Sequence, residues 1–524
     1  MTNPTASDTE QTAAHVTGYG TRAYRSYVLC ALLFVAVLNL SDRALPTILS
    51  EPIIEDLKIS DTQFGLLKGL AFAVLYSFAG IPIAFLSETR SRVWVMTACI
   101  VMWSLATALM GLAYPIDIGG LAISGFAVMA LCRMLVGIAE SGCTPQTNSL
   151  IADYYPPAKR STAVGFFAMG GTLGALAANL IGGPVNELLR SHFTSAAAAA
   201  RGVTQSLSAA ACSTNNLPNL TDAAAEACRD GTSMAWRGCF VLMGLVGVIS
   251  AVGFKLTVKE PPRGYTDPPG AAPRTRATLR ELIRVLAGKP TFWWMTAAAT
   301  TAGFCTYGIN TFQTSFVRRV HGFSQVEASL FFNIPSAVAA SIGVLVTGWL
   351  VERMAHRHPN AITWLPALGL FLCAPLYLIG FSSDTPWVAI ALVSSGAMVK
   401  YGYVAAQYAI VQGVVGGAMR ATATAILLLA LNLVGLGLGP VVAGGLSDLY
   451  FQMQVASAGL GELSRSQCRG LALAALSPEM RELCATADPK ALRQAILSLA
   501  GFYVAPGILL LFAMRTLQRD LIKA

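Results

Sequence analysis

The stretch YVLCALLFVAVLNLSDRALPTIL, running from Tyr27 to Leu49, is long enough to cross a bilayer as a single helix. It also carries Asp42 and Arg43 side by side. A lone Asp or Arg at the middle of a membrane helix costs roughly 2.5–3.5 kcal/mol on insertion scales, so an adjacent pair requires partners or a water-filled cavity. The functional reading of that cost is a polar site for a charged solute or a proton.

Outward from this helix the composition is of one kind. The chain has 524 residues, of which 54% are hydrophobic and only 12% charged. A soluble domain carries about twice that charge, so this is an all-α polytopic membrane protein. The net charge of +9 does not point to nucleic acid, because the basic residues fall in short segments between apolar runs. All five histidines (His15, His192, His321, His356, His358) fall in the tail or connecting segments, which excludes intramembrane histidine ligation; no metal or cofactor is expected. The opening residues are polar and Ala/Thr-rich, and the first apolar run is too long for the h-region of a signal peptide, so no cleavable leader is expected.

Apolar runs of spanning length fall at 27–49, 62–86, 93–114, 120–153, 161–185, 236–256, 290–317, 325–350, 362–382, 386–415, 420–446 and 494–515, predicting twelve helices. Arg22, Arg25, Arg90, Arg92, Lys159, Arg160, Arg353, Arg357, Arg420, Arg515 and Arg519 all fall on one side of this arrangement. The linker 257–289 joins them with Lys259, Arg263, Arg274, Arg276, Arg280, Arg284 and Lys289, whereas the opposite short loops hold little beyond Lys58, Arg318 and Arg319. The positive-inside rule then places both termini and the linker in the cytoplasm. The expected organisation is a tail over 1–26, a six-helix bundle over 27–256, the linker 257–289, and a second six-helix bundle over 290–524.

The two bundles repeat one another. AFLSETRSR (84–92) precedes the third helix, and GWLVERMAHR (348–357) precedes the ninth. Arg160-Ser161-Thr162-Ala163 opens the fifth helix and Arg420-Ala421-Thr422-Ala423 the eleventh. Both of those helices are glycine-rich, with Gly170, Gly171, Gly174, Gly182 and Gly183 in one and Gly435, Gly437, Gly439, Gly444 and Gly445 in the other; small residues let helix backbones approach closely. Frequent glycine alone does not explain the ordered recurrence of three signals. The long loops after these two helices also correspond, each holding two cysteines sixteen apart. Cys212–Cys228 and Cys468–Cys484 are read as disulfides on the oxidising side, each constraining its loop by roughly 3 kcal/mol. The other seven cysteines are read as apolar packing residues.

Six plus six helices, a basic central linker and a repeated loop motif resemble the major facilitator superfamily. Its loop signature G-x-L-A-D-R-x-G-R is worn in the first half: Ala84, Glu88, Thr89 and Ser91 replace four of its positions, and Arg92 matches. The second copy keeps Gly348, Leu350, Glu352 and Arg353. The resemblance implies a gating role for Glu88, Arg92, Glu352 and Arg353, with the departures loosening it in the first half. Within the superfamily the chain resembles the spinster-like branch, through LNLSDRALP, the segment 131–165 running into Tyr154-Tyr155-Pro156-Pro157, LTVKEPPRG (256–264) and the run 420–440. That branch is implied to consist of secondary transporters, with eukaryotic members associated with sphingolipids and lysophospholipids. The Asp-Arg pair in helix one, with Arg and Glu seven apart in helix four, also resembles proton-driven organic-anion symporters.

In the fourth helix Arg133, Gly137, Glu140 and Thr144 fall on one face. With Asp42 and Arg43 they predict a four-charge cluster, neutral overall, between helices one and four. A salt-bridge lattice is the purely structural alternative, yet buried pairs are poor sources of net stability. Asp42 and Glu140 are read as the protonatable groups and Arg43 as the anion contact, with Arg133 neutralising Glu140 in the absence of substrate. Burial favours the neutral carboxyl and a nearby arginine the charged one, which is how protonation can follow substrate arrival. In the second half Lys400 is read as the only intramembrane charge. It is grouped with Tyr307, Asn310, Tyr401, Gln407 and Asn432 as substrate contacts, while Trp236-Arg237 is read as an interfacial anchor.

A membrane enzyme would need a nucleophile–base pair or metal ligands at membrane depth, and a sensor would advertise a soluble effector domain; neither is present in the sequence. The chain is therefore expected to be a secondary active transporter and not an enzyme. It is read as moving an anionic, amphipathic, lysolipid- or sphingolipid-like solute by alternating access with proton coupling. The alternative is a proton-coupled symporter of small organic or sugar acids. It is expected to act as a monomer in a bacterial inner membrane, its partners being protons, the solute and membrane lipid.

Overall fold

The computed structural model describes residues 17–118, 121–205, 207, 211–212, 220–266, 279–355, 357–358, 360–416, 419–459, 463–468, 473 and 476–522. His15, His356, Arg274, Arg276 and most of the expected tail lie outside them. The described chain is helical almost throughout. Its long helices are α1 (Arg22–Ile48), α2 (Asp61–Thr89), α3 (Arg92–Met110), α4 (Gly125–Tyr154), α5 (Pro157–Ala200), α6 (Asp222–Thr257), α7 (Pro290–His321), α8 (Gln325–Met354), α9 (Ala361–Ser382), α10 (Pro386–Gly413), α11 (Thr422–Ala458) and α12 (Pro478–Asp520).

Eleven of these are long and apolar enough to span a membrane. The exception is α7, which at 32 residues reaches about 48 Å but carries seven threonines with Asn310 and Gln313. It can be polar because it is enclosed by protein: Thr296, Thr306, Thr311, Gln313, Thr314 and Ser315 are all buried.

The sequence-derived boundaries fail at three places. Residues 121–124 do not belong to α4, because Ile116–Ile118 and Leu121–Ile123 form a small antiparallel hairpin with Asp117 opposite Ala122. The Ser124 side chain then caps α4 by accepting the Ala127 N–H. The loops expected after helices five and eleven are largely helix, since α5 runs to Ala200, α6 starts at Asp222 and α12 at Pro478. Alanine-rich runs such as Ala196–Ala200 need no membrane to favour helix. Each disulfide joins a short loop segment to one of these extensions, Cys212 to Cys228 on α6 and Cys468 to Cys484 on α12, with Cα atoms 5.3 Å apart in both.

The chain folds as two compact units, one from Met1–Leu45, Val74–Ala178 and Phe240–Arg274, the other from Pro46–Ala73, Asn179–Cys239 and Thr275–Ala524. Close backbone contact holds elements of each unit together. In the second unit, a Cβ on Gly65 would stand 2.2 Å from the Pro440 carbonyl oxygen, one on Gly69 2.2 Å from that of Gly437, and one on Gly444 2.2 Å from that of Asp61. The start of α2 therefore lies directly against the α11 backbone. In the first unit α5 meets α1 in the same way, where a Cβ on Gly174 would stand 2.6 Å from the Leu40 Cβ. The Ser41 hydroxyl also donates to the Gly174 carbonyl at 2.9 Å. Three π-helical turns, Ala178–Gly182 in α5, Ala328–Asn333 in α8 and Leu431–Leu438 in α11, each carry one asparagine. Asn333 donates to Asn179 and to Thr314, both at 3.0 Å.

At the start of α3, Arg92 is buried and bound to Asp153 of α4, to Glu260 at 2.7 Å and to the Pro261 carbonyl at 2.8 Å. Glu260 also accepts the Val93 N–H and the Ser91 hydroxyl, each at 2.8 Å. Partial burial alone would raise the Glu260 carboxyl, but these hydrogen bonds and the Arg92 charge outweigh it and hold it below its usual value. A depressed carboxylate contributes stability that is present above its unfolded value and lost as pH falls through the folded one. Purified protein should therefore lose thermal stability below pH about 4.5, and Glu260→Gln should shrink that acid-side loss. Asp153→Asn, which leaves Arg92 without its most buried partner, should cost about 3 kcal/mol, read as a lower thermal midpoint at neutral pH.

Candidate functional site

Asp42, Arg133 and Glu140 are almost fully buried in the first unit, where α1 meets α4. Neighbouring residues on a helix point about 100° apart, so Asp42 and Arg43 cannot share one partner. Arg133 and Glu140 stand two turns apart, about 10 Å along the axis, which leaves room for a separate partner at each. The structure resolves this as two pairs. Arg43 Nε donates to Glu140 Oε2 at 2.5 Å, and Arg133 Nη1 lies 3.9 Å from Asp42 Oδ2. The direct partner of Glu140 is thus Arg43, and Arg133, expected to neutralise it, stands nearest Asp42.

Two further groups complete the site. Thr107 of α3 donates to Asp42 Oδ1 at 2.8 Å, and the Arg43 guanidinium lies 4.5 Å from the ring centre of Tyr76 on α2. Neither had a signal in the sequence, where a threonine or tyrosine in an apolar run is ordinary. The Arg43 side chain is 24% exposed and that of Glu140 0%, so the arginine is the accessible member of its pair. Glu140 Oε1 is buried with no hydrogen-bond partner among the described residues. Thr144, expected on the same face, is exposed. The helix is interrupted at Gly142, and Pro145 has no N–H to return to the Ser141 carbonyl, so the face turns there.

In the second unit Lys400 of α10 is also buried, within an aromatic cage. Its Nζ lies 5.0, 4.9 and 5.7 Å from the ring centres of Tyr377, Tyr401 and Tyr503, and 3.4 Å from the Tyr503 hydroxyl. Asn310 donates to the Tyr401 hydroxyl at 3.2 Å. Lys400 is enclosed rather than presented, and half-buried Tyr307, Asn310 and Tyr401 are the accessible members of this group. Gln407 is buried with Oε1 unbonded among the described residues, and Asn432 sits half-buried in the π-helical turn of α11.

Of the residues expected to gate, Glu88, Glu352 and Arg353 are exposed, with Arg353 5.5 Å from the Trp349 ring centre, while Arg92 is the buried hub described above. Trp236 and Arg237 are not an interfacial anchor. Both are buried, and Arg237 pairs with Asp56. Outside the apolar runs the second half also buries Arg465 and Asp520, and Arg465 pairs with Asp61 of the first half and with half-buried Asp448 near the C-terminal end of α7.

The family model of the Major Facilitator Superfamily matches residues 31–440. The crystal structure of a bacterial homologue of the human lysosomal transporter Spinster, inward-facing and unoccupied, is 34% identical and covers 96% of this chain and 100% of its own, with a TM-score of 0.82. An MFS-type efflux pump of Mycolicibacterium smegmatis is 27% identical over 80% of this chain and 83% of its own length. A D-galactonate transporter of Escherichia coli is 24% identical over 71% of this chain and 74% of its own. A buried, charge-balanced site within a helical membrane fold, matched over nearly the whole chain, places this protein among carriers rather than enzymes: it belongs to the major facilitator superfamily, in its spinster-like branch.

Proposed function

We propose that this protein is a proton-coupled secondary transporter of an anionic amphipathic solute, lysolipid- or sphingolipid-like in chemistry. The observation that carries the reading is the Arg43–Glu140 pair, in which the cation is accessible and the carboxylate is not. An incoming anion competes for Arg43. Glu140 then loses its counter-charge at a buried position, where a lone carboxylate is costly, and takes up a proton instead. Its unbonded Oε1 offers a place for that proton. Asp42 remains balanced by Arg133 and Thr107, so Glu140 is the principal proton carrier and Asp42 the secondary one.

The second half supplies the softer contacts. Tyr307 and Tyr401 offer aromatic surface beside Asn310, a combination suited to the junction of a polar head and an apolar tail. Arg133 and Lys400 act behind these groups rather than as first contacts. The charge bias of the loops supports cytoplasmic termini in a bacterial inner membrane.

The counter-reading is symport of a small organic or sugar acid, favoured by the polar Asn310, Gln407 and Asn432 if no tail is accommodated. Counterflow in proteoliposomes separates the two. Preloaded unlabelled lysolipid should accelerate entry of labelled lysolipid, with a sugar acid ineffective; the reverse pattern overturns the lipid assignment.

A further inference from the structure

Asp61, the first residue of α2, is completely buried between two arginines. Arg319 on the last turn of α7 grips it through hydrogen bonds of 2.9 and 3.0 Å and also reaches Glu51 at 3.0 Å. Arg465 comes from the loop between α11 and α12. Its Nη1 donates to Asp61 at 2.8 Å and to Asp448 of α11 at 2.7 Å, and its Nε donates to Asp488 of α12 at 2.5 Å. Asp448 in turn accepts the Thr62 N–H at 2.9 Å and the Thr62 hydroxyl at 2.6 Å. One loop arginine thus ties together α2, α11 and α12, and its guanidinium lies 5.0 Å from the Phe451 ring centre.

Fixing a long side chain on a loop is entropically expensive, about 2 kcal/mol for arginine rotamers before any backbone cost. The disulfide explains how the loop bears it. Arg465 stands three residues before Cys468, whose bond to Cys484 holds the segment to α12. Leu463, Cys468, Leu473 and Cys484 share a small apolar core with Phe451 and Val455. Asp61 belongs to the first sequence repeat, and Arg319, Asp448, Arg465 and Asp488 to the second. Alternating access moves the repeats of such carriers against each other, so these bonds must part whenever this end of the pathway opens.

We propose that residues 463–468, between α11 and α12, are a latch, in which the Cys468–Cys484 bond sets Arg465 to hold the Asp61 end of α2 closed. This segment sets how often that end opens. This inference goes beyond substrate and coupling ion, and its test needs neither.

Ser315, one turn deeper on α7, is buried and shares a 2.9 Å hydrogen bond with Ser50. Ser315→Cys in a Cys30→Ser background provides a reporter. Its alkylation rate by a membrane-impermeant maleimide, corrected with the same variants lacking the reporter, is proportional to the open fraction. Arg465→Gln and, separately, Cys468→Ala with Cys484→Ala should each raise that rate about tenfold. Cys212→Ala with Cys228→Ala should leave it unchanged. An unchanged rate in Arg465→Gln or in the Cys468/Cys484 variant overturns the latch. So does an equal rise in the Cys212/Cys228 variant, which would mean general loosening. Arg465→Gln keeps the staple, so the proposal remains decidable if the double-cysteine variant does not fold.

Discussion

Glu140→Gln is expected to abolish accumulation driven by a proton gradient while leaving substrate exchange in place. In proteoliposomes with the membrane potential clamped to zero, wild-type protein should concentrate substrate when the pH gradient is imposed. The variant should only equilibrate it, to a ratio of about one, because an uncoupled carrier can do no more. Glutamine keeps the shape of the side chain and removes only its ability to gain and lose a proton. Arg43 would lose its ionic partner but keep the Tyr76 ring and its partial exposure, so folding should survive. Full gradient-driven accumulation in this variant would remove Glu140 from the proton path.

Arg43→Ala should weaken substrate binding about a hundredfold, or ~2.7 kcal/mol, the order expected when one partner of a buried charge pair is truncated. It should also uncouple transport by a different route, since Glu140 without Arg43 would stay protonated in its buried site and cease to respond to substrate. Arg43→Lys should rescue only part of the affinity: the Nε that reaches Glu140 belongs to a planar fork that an ammonium does not reproduce. Equilibrium binding of substrate to the purified variants checks both. Unaltered affinity in Arg43→Ala would put the anion site elsewhere.

The membership of this cluster was legible in the sequence because charge is so rare within the apolar runs. Asp42, Arg43, Arg133 and Glu140 stand out against their helices, and the spacing of the last two put them on one side of α4. Which charge answers which was not legible. It depends on the rotation of α1 about its own axis, and adjacent residues diverge too widely for spacing to settle it. The break at Gly142 was a related blind spot: Pro145 was visible, but not that it would turn Thr144 away. Asp61, Arg319 and Asp448 escaped for the opposite reason. They stand where charges ordinarily meet water, and only the approach of α2 to α11 through Gly65, Gly69 and Gly444 buries Asp61 and half-buries Arg319 and Asp448 around it. Of the glycines read in the sequence, Gly170, Gly174, Gly439 and Gly444 are places of close approach, whereas a Cβ on Gly171 would meet nothing within 4 Å, and Gly65 and Gly69 carried no signal at all.

The polar character of α7 bears on how the chain is assembled. A helix carrying seven threonines, an asparagine and a glutamine partitions into lipid less readily than its neighbours do, yet it is synthesised before the α11 and α12 helices that surround it. On emerging from the ribosome it has no finished interior to enter. Until the last part of the chain arrives, its buried hydroxyls and amides lack the partners that enclose them in the finished fold. The packing of α7 is thereby completed only when the C-terminal helices, made last, close around it.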